Sequence, residues 1–130
     1  MNILWFEILV VAIGGAFGSV ARLLLSRTIQ QLMPYEQLPW GIITVNVLGC
    51  FLIGVLYGLF ELKLFLNPLW RAGLIIGVLG GFTTFSSFSL DTIVLLQRGA
   101  VLLAFSNVAV SVMYCLMATV IGFWVVGMFA

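Results

Sequence analysis

The chain has 130 residues, 64% of them hydrophobic and 7% charged, with no histidine and a net charge of +1. A soluble domain carries about 25% charged residues to meet water, so this composition excludes a water-facing surface over most of the chain. With five Lys and Arg in all, there is no basic cluster to neutralise a phosphate backbone, which excludes nucleic acid as a partner.

The first predicted element is a helix over residues 3–25. Its opening, MNILWFEILVVAIGGAFGS, lacks the basic n-region of a secretion signal and carries Glu7 instead, and it stays apolar to Leu25. It reads as a retained membrane helix, with Glu7 and Arg22 near enough to its ends to snorkel. Residues 26–39, SRTIQQLMPYEQLP, hold Pro34, Pro39 and several amides and read as the longest loop. A second, uncharged helix follows over 40–60. The segment ELKLFLNPLWR at 61–71 contains Pro68 and a charge cluster. A third helix covers 71–96, and a brief QRG turn leads to a fourth, uncharged helix over 99–128. Each run reaches the roughly 20 apolar residues needed to cross about 30 Å of hydrocarbon. The expected fold is one all-α integral membrane domain, residues 1–130, with four transmembrane helices. Cys50 and Cys115 lie in apolar runs without a CxxC spacing and read as small buried or lipid-facing residues.

Orientation follows the Lys/Arg imbalance between loops. Lys63 and Arg71 fall on one side of the membrane, Arg27 and Arg98 on the other, with Arg22 slightly inside. That near balance favours insertion both ways up, and with it an antiparallel, dual-topology homodimer about a two-fold axis in the membrane plane. The alternative is a single orientation set by Arg22.

The third helix holds GGFTTFSSFS at residues 80–89, two glycines and five hydroxyls in ten positions. At about 1.5 Å per residue from Arg71, Gly80–Thr84 lie roughly 14–20 Å deep, at the bilayer midplane. Tandem glycines cost about 1 kcal/mol each in a helix, and the hydroxyls can satisfy freed backbone groups, so the helix is expected to break near 80–84. A break offers carbonyls to a cation on one side and N–H groups to an anion on the other. The competing reading is close helix packing through small residues. Phe85 and Phe88 share a helix face, and the positive edge of an aromatic ring attracts an anion weakly. Asn46, Asn107 and Ser111 bring further polar groups to compatible depths, either as a polar track or as interhelical glue.

No His, metal-ligand spacing, phosphate loop or carboxylate pair supports catalysis, so the chain is not expected to be an enzyme. Donors along a path with a break at its centre fit a conduit for a small inorganic ion, and the lack of a row of carboxylates leans towards an anion.

Three motifs together resemble the Fluc (CrcB) fluoride channel family over nearly the whole chain: GGAFGSVAR ending at Arg22, GIITVNVLG containing Asn46, and GGFTTFSSFS. The resemblance implies an antiparallel dual-topology homodimer in the cell (inner or plasma) membrane, in contact with lipid, exporting cytoplasmic fluoride passively down its electrochemical gradient. It implies a structural sodium ion on the two-fold axis, held by backbone carbonyls at positions matching Gly80 and Thr84. It places Phe85, Phe88 and Asn46 in the fluoride pore with the hydroxyls of Ser86, Ser87 and Ser111, and Arg22 at the vestibule. Two positions depart from the family pattern. Ile42 stands where a threonine is common, so a hydroxyl is lost unless Thr44 compensates, and Asp91 stands where a glutamate is expected. Asp91 and Arg22 fall near the same membrane face, as an ion pair or as two separately solvated charges.

Two other functions fit the size and span count. A dual-topology, proton-coupled exporter of cationic compounds needs a carboxylate in the first helix, for which Glu7 is the candidate. A packing subunit of a larger membrane complex would use the hydroxyl cluster as glue.

Overall fold

The computed structural model describes residues 3–33, 37–62 and 67–129; Pro34 and Lys63 lie outside them. Every regular element among the described residues is helical. Helix α1 runs Ile3–Leu32, α2 Trp40–Glu61, α3 Pro68–Arg71, α4 Gly80–Phe82, α5 Phe85–Gln97 and α6 Val101–Gly127, and a π-helical segment, Ala72–Leu79, joins α3 to α4. Together these make four spans long and apolar enough to cross a membrane: Leu4–Leu32, Trp40–Glu61, Pro68–Gln97 and Val101–Gly127.

Helix α1 continues well past the end expected at Leu25. Ser26 Oγ donates to the Leu23 carbonyl at 3.3 Å and Thr28 Oγ1 to the Leu24 carbonyl at 2.8 Å. Hydroxyls folded onto their own helix leave it intact, and the Arg, Gln and Leu residues among them are good helix formers. Polarity was the wrong stop signal there. The fourth span begins at Val101 rather than at 99 because Gly99 adopts φ 76°, a left-handed turn that glycine enters without a Cβ penalty. The third span opens at Pro68, where proline at the first helical position costs no hydrogen bond; the Asn67 side chain caps it by accepting from the Leu69 amide at 2.9 Å.

Two seams hold the spans together. In the first, α1 lies on the π segment and α4. A β-carbon on Gly14 would sit 2.6 Å from the Gly73 carbonyl, and one on Gly18 would overlap the carbonyl of Val78. In the second, α2 lies on α6, with Gly54 against the Thr119 carbonyl and Gly122 against that of Phe51. Lipid tails supply no hydrophobic drive between helices, so such backbone approach and its van der Waals contact provide the adhesion. Large apolar side chains including Phe17, Leu24, Leu102, Phe105 and Trp124 point outward, as a hydrocarbon solvent allows.

The break in the third span is narrower than expected from its glycines. Gly80, Gly81 and Phe82 remain helical, and Thr83 and Thr84 carry the interruption. Gly81 is required for packing: a β-carbon there would meet the Gly15 carbonyl at 2.5 Å.

Candidate functional site

Thr83 (φ −82°, ψ 156°) and Thr84 (φ −152°, ψ 116°) are both extended. Thr83 still closes the helix before it, with its amide and its Oγ1 each donating to the Leu79 carbonyl at 2.9 Å. Thr84 turns to another helix instead. Its amide donates to Asn46 Oδ1 at 2.8 Å, and its carbonyl accepts from Asn46 Nδ2 at 3.0 Å. One side chain on α2 thus satisfies both backbone groups of a buried residue, which water cannot do in a lipid environment. The exchange has a consequence upstream. In an uninterrupted α-helix the Thr84 amide would bond the Gly80 carbonyl; diverted to Asn46, it leaves that carbonyl without its helical partner.

The chain restarts as α5 on a cap. Thr84 Oγ1 accepts from the Ser87 amide at 3.1 Å, and the hydroxyls of Ser86 and Ser87 each lie 3.1 Å from the same oxygen. Removing this cap in Thr84→Val is expected to lower the unfolding free energy by about 1 kcal/mol, measured by denaturation in detergent, while the Asn46 bonds to the backbone remain.

The cap aims the next turn. The rings of Phe85 and Phe88 contact each other, centroids 5.3 Å apart and planes inclined at 52°. Phe88 is buried, whereas Phe85 is 77% exposed. Both rings line a cleft of about 330 Å³ with Asn46, Gly80, Thr83, Thr84 and Ser111, so that α2, the break and α6 each contribute a wall. No charged side chain lines it. Of the residues singled out from sequence, Asn46, Gly80, Thr84, Phe85, Phe88 and Ser111 meet here. Ser86 and Ser87 gather at the Thr84 hydroxyl, and Arg22, half-buried on α1, is not among the lining residues.

Asn107, fully buried on α6, serves as a brace. Its Nδ2 donates to Thr92 Oγ1 at 2.9 Å, and Thr92 Oγ1 donates to the Phe88 carbonyl at 2.8 Å. Ser111 Oγ donates to Asn107 Oδ1 at 3.4 Å. This relay ties α6 to the turn that carries Phe88.

A second cleft, about 470 Å³, opens between the end of α1, the start of α2 and the end of α5, lined by Arg27, Gln30, Ile42, Asp91 and Arg98 among others. Asp91 therefore shares its surroundings with Arg27 and Arg98, and Arg22 is not part of that wall. Ile42 belongs to it, but Thr44 does not: it lies in an apolar groove with Val47, Leu48, Val110 and Tyr114. Two residues along a helix is a rotation of about 200°, so Thr44 cannot supply the hydroxyl that Ile42 lacks.

Among the described residues no group of three or more His, Cys, Asp or Glu could hold a metal ion. The cation chemistry available at the break is that of carbonyl and hydroxyl oxygens, which suits a hard ion. Cys50 and Cys115, read from sequence as small buried or lipid-facing residues, both line the first cleft; nothing in their spacing signals it, because they lie on different helices.

The family model for CrcB-like protein, Camphor Resistance (CrcB), matches residues 9–123. The chain belongs to the CrcB family. Relatives named "Fluoride-specific ion channel FluC" include that of Magnetococcus marinus, 42% identical over 94% of this chain and 94% of its own length. That of Francisella tularensis subsp. tularensis (strain SCHU S4 / Schu 4) is 43% identical over 92% and 93%, and that of Azotobacter vinelandii is 50% identical over 85% and 89%. These CrcB relatives carry the names of channels and not of enzymes, and with four membrane-competent helices the chain is a multi-pass membrane protein.

Proposed function

We propose that this CrcB-family chain is a fluoride-selective channel, exporting cytoplasmic fluoride passively down its electrochemical gradient across the inner or plasma membrane. The observation that carries this reading is the reciprocal Asn46–Thr84 pair, which holds a broken helix open beside two tilted rings in contact in an uncharged cleft. Fluoride is strongly hydrated, so a path for it must replace water with hydrogen-bond donors and favourable ring edges. Asn46, Ser111, Phe85 and Phe88 supply these, with Ser86 and Ser87 at the Thr84 cap and Arg22 nearer the membrane face.

The working unit of this reading is an antiparallel, dual-topology homodimer. The near balance of Lys and Arg between the two sides supports it, as does Phe85, a pore-motif ring that its own chain leaves 77% exposed. The break lies about halfway along the 30-residue span Pro68–Gln97, so two antiparallel copies could meet there at the midplane. The carbonyls of Gly80 and Thr84 fit a sodium ion at that meeting point: the first lacks its helical partner, and the second has a lone pair beyond the one given to Asn46. Such an ion would add positive charge beside the path and join the two copies.

The purified protein in liposomes is expected to release fluoride and retain chloride, with counter-charge supplied by a potassium ionophore. Phe85→Ile and Phe88→Ile should each cut fluoride release by more than about tenfold, since each removes a ring edge from the path. Equal release from wild type and both variants would end the role given to the rings. Efflux independent of a pH gradient and unchanged in Glu7→Gln separates a channel from a proton-coupled exporter of cations.

A further inference from the structure

Cys50 on α2 and Cys115 on α6 are free thiols, each half-buried. Both line the cleft at the helix break, so the two thiols open onto one cavity. Helix register places them together independently. Asn46 and Ser111, one turn before the two cysteines, line the same cleft, and Gly54 meets the Thr119 carbonyl one turn after them. At four residues per step along both helices, Cys50 and Cys115 fall at one level. One turn on, the glycine seam brings the backbones of α2 and α6 into contact.

We propose that Cys50 and Cys115 form a binding site for a soft, thiophilic d10 cation of the Cu(I), Ag(I) or Hg(II) class. Thiolate sulfur selects such ions. No third His, Cys, Asp or Glu accompanies the pair among the described residues, so the site suits ions content with two ligands in line and not zinc or calcium, which take four or more. Binding forms two metal–sulfur bonds and releases the two thiol protons to the medium; no electron is transferred. The bound ion bridges α2 to α6 one turn from Asn46 and stands in the cleft wall, so occupancy closes the cleft. This last effect rests on the channel reading above, whereas the binding does not.

The test uses the full chain in liposomes titrated with Hg²⁺. Sulfur-to-mercury charge-transfer absorbance is expected to saturate at one ion per chain, with fluoride efflux falling more than about tenfold and returning on addition of excess dithiothreitol. Cys50→Ser and Cys115→Ser should each lose Hg²⁺ to a competing monothiol at more than about tenfold lower concentration, a conservative margin because even outer-shell partners of a metal act on that scale. Should a serine variant fail to fold, wild-type protein alkylated at one equivalent per chain provides the one-thiol state. Saturation at two ions per chain, or a one-thiol state that resists the monothiol as well as wild type, overturns the site. One ion bound per chain with efflux unchanged overturns closure of the cleft. Protein that binds one ion but passes no fluoride even without metal refutes the channel reading and leaves the site standing.

Discussion

Asn46→Ala is expected to reduce fluoride efflux from liposomes by more than about tenfold and to destabilise the protein by roughly 2–6 kcal/mol. The energy follows from the two backbone groups of Thr84 that Asn46 satisfies, each costing about 1–3 kcal/mol when buried without a partner. The flux follows from geometry, because Thr84 is both the residue held by Asn46 and the cap from which Phe85 and Phe88 project. Asn46→Asp tests the donor half of the pair. A carboxylate still accepts from the Thr84 amide, but it cannot donate to the Thr84 carbonyl, and it places a negative charge in a cleft lined by none. At a pH above carboxylate titration this variant should be destabilised at least as much as the alanine variant, because its charge faces the Thr84 carbonyl in a cleft without a cationic side chain, where an unpaired charge is costly, and it should pass almost no fluoride. Wild-type efflux from Asn46→Ala would show that the path does not depend on the break being held.

The second large effect separates two adjacent, identical residues. Gly81→Ala should lower stability by about 1–3 kcal/mol or more, the range for overpacking a fitted site. Its new methyl would lie 2.5 Å from the Gly15 carbonyl and 3.0 Å from the Gly15 Cα, and backbone atoms cannot swing aside as a side-chain tip can. Gly80→Ala should be neutral or gain up to about 1 kcal/mol from helix propensity, since its nearest neighbour would be the Ile75 carbonyl at an ordinary 3.7 Å. Fluoride efflux should follow the same contrast, because the sodium role proposed for Gly80 uses its carbonyl and asks nothing of its side chain. Unfolding in detergent and efflux in liposomes measure the two outcomes. Equal effects at both positions would contradict the packing of α1 on the third span.

The four spans were legible in the sequence because a chain with so few charges has only apolar runs to fold, and run length is nearly sufficient to find a membrane helix. Boundaries were less legible. Ser26 and Thr28 look like loop residues in a list of polarities, yet they extend α1 by bonding to carbonyls of their own helix. The break expected near 80–84 falls within that range, on Thr83 and Thr84 and not on the tandem glycines. Glycine permits a departure from helical geometry without requiring it; Thr83 and Thr84 depart because Asn46, on a separate helix, takes the Thr84 backbone groups.

Composition and the motifs around Arg22, Asn46 and residues 80–89 determined by themselves that this is an all-helical membrane protein, and they marked the CrcB resemblance that the relatives bear out. Both are local properties, carried by residue type and near-neighbour spacing. Only the tertiary structure decided which side chains share a cleft. It set Asn46 against Thr84, put Thr44 on the far face from Ile42, gave Asp91 the company of Arg27 and Arg98, and brought Cys50 to Cys115. Each of these depends on how helices rotate and slide against one another, which here is set by glycine seams where backbone meets backbone, and no periodicity within a single helix encodes that register.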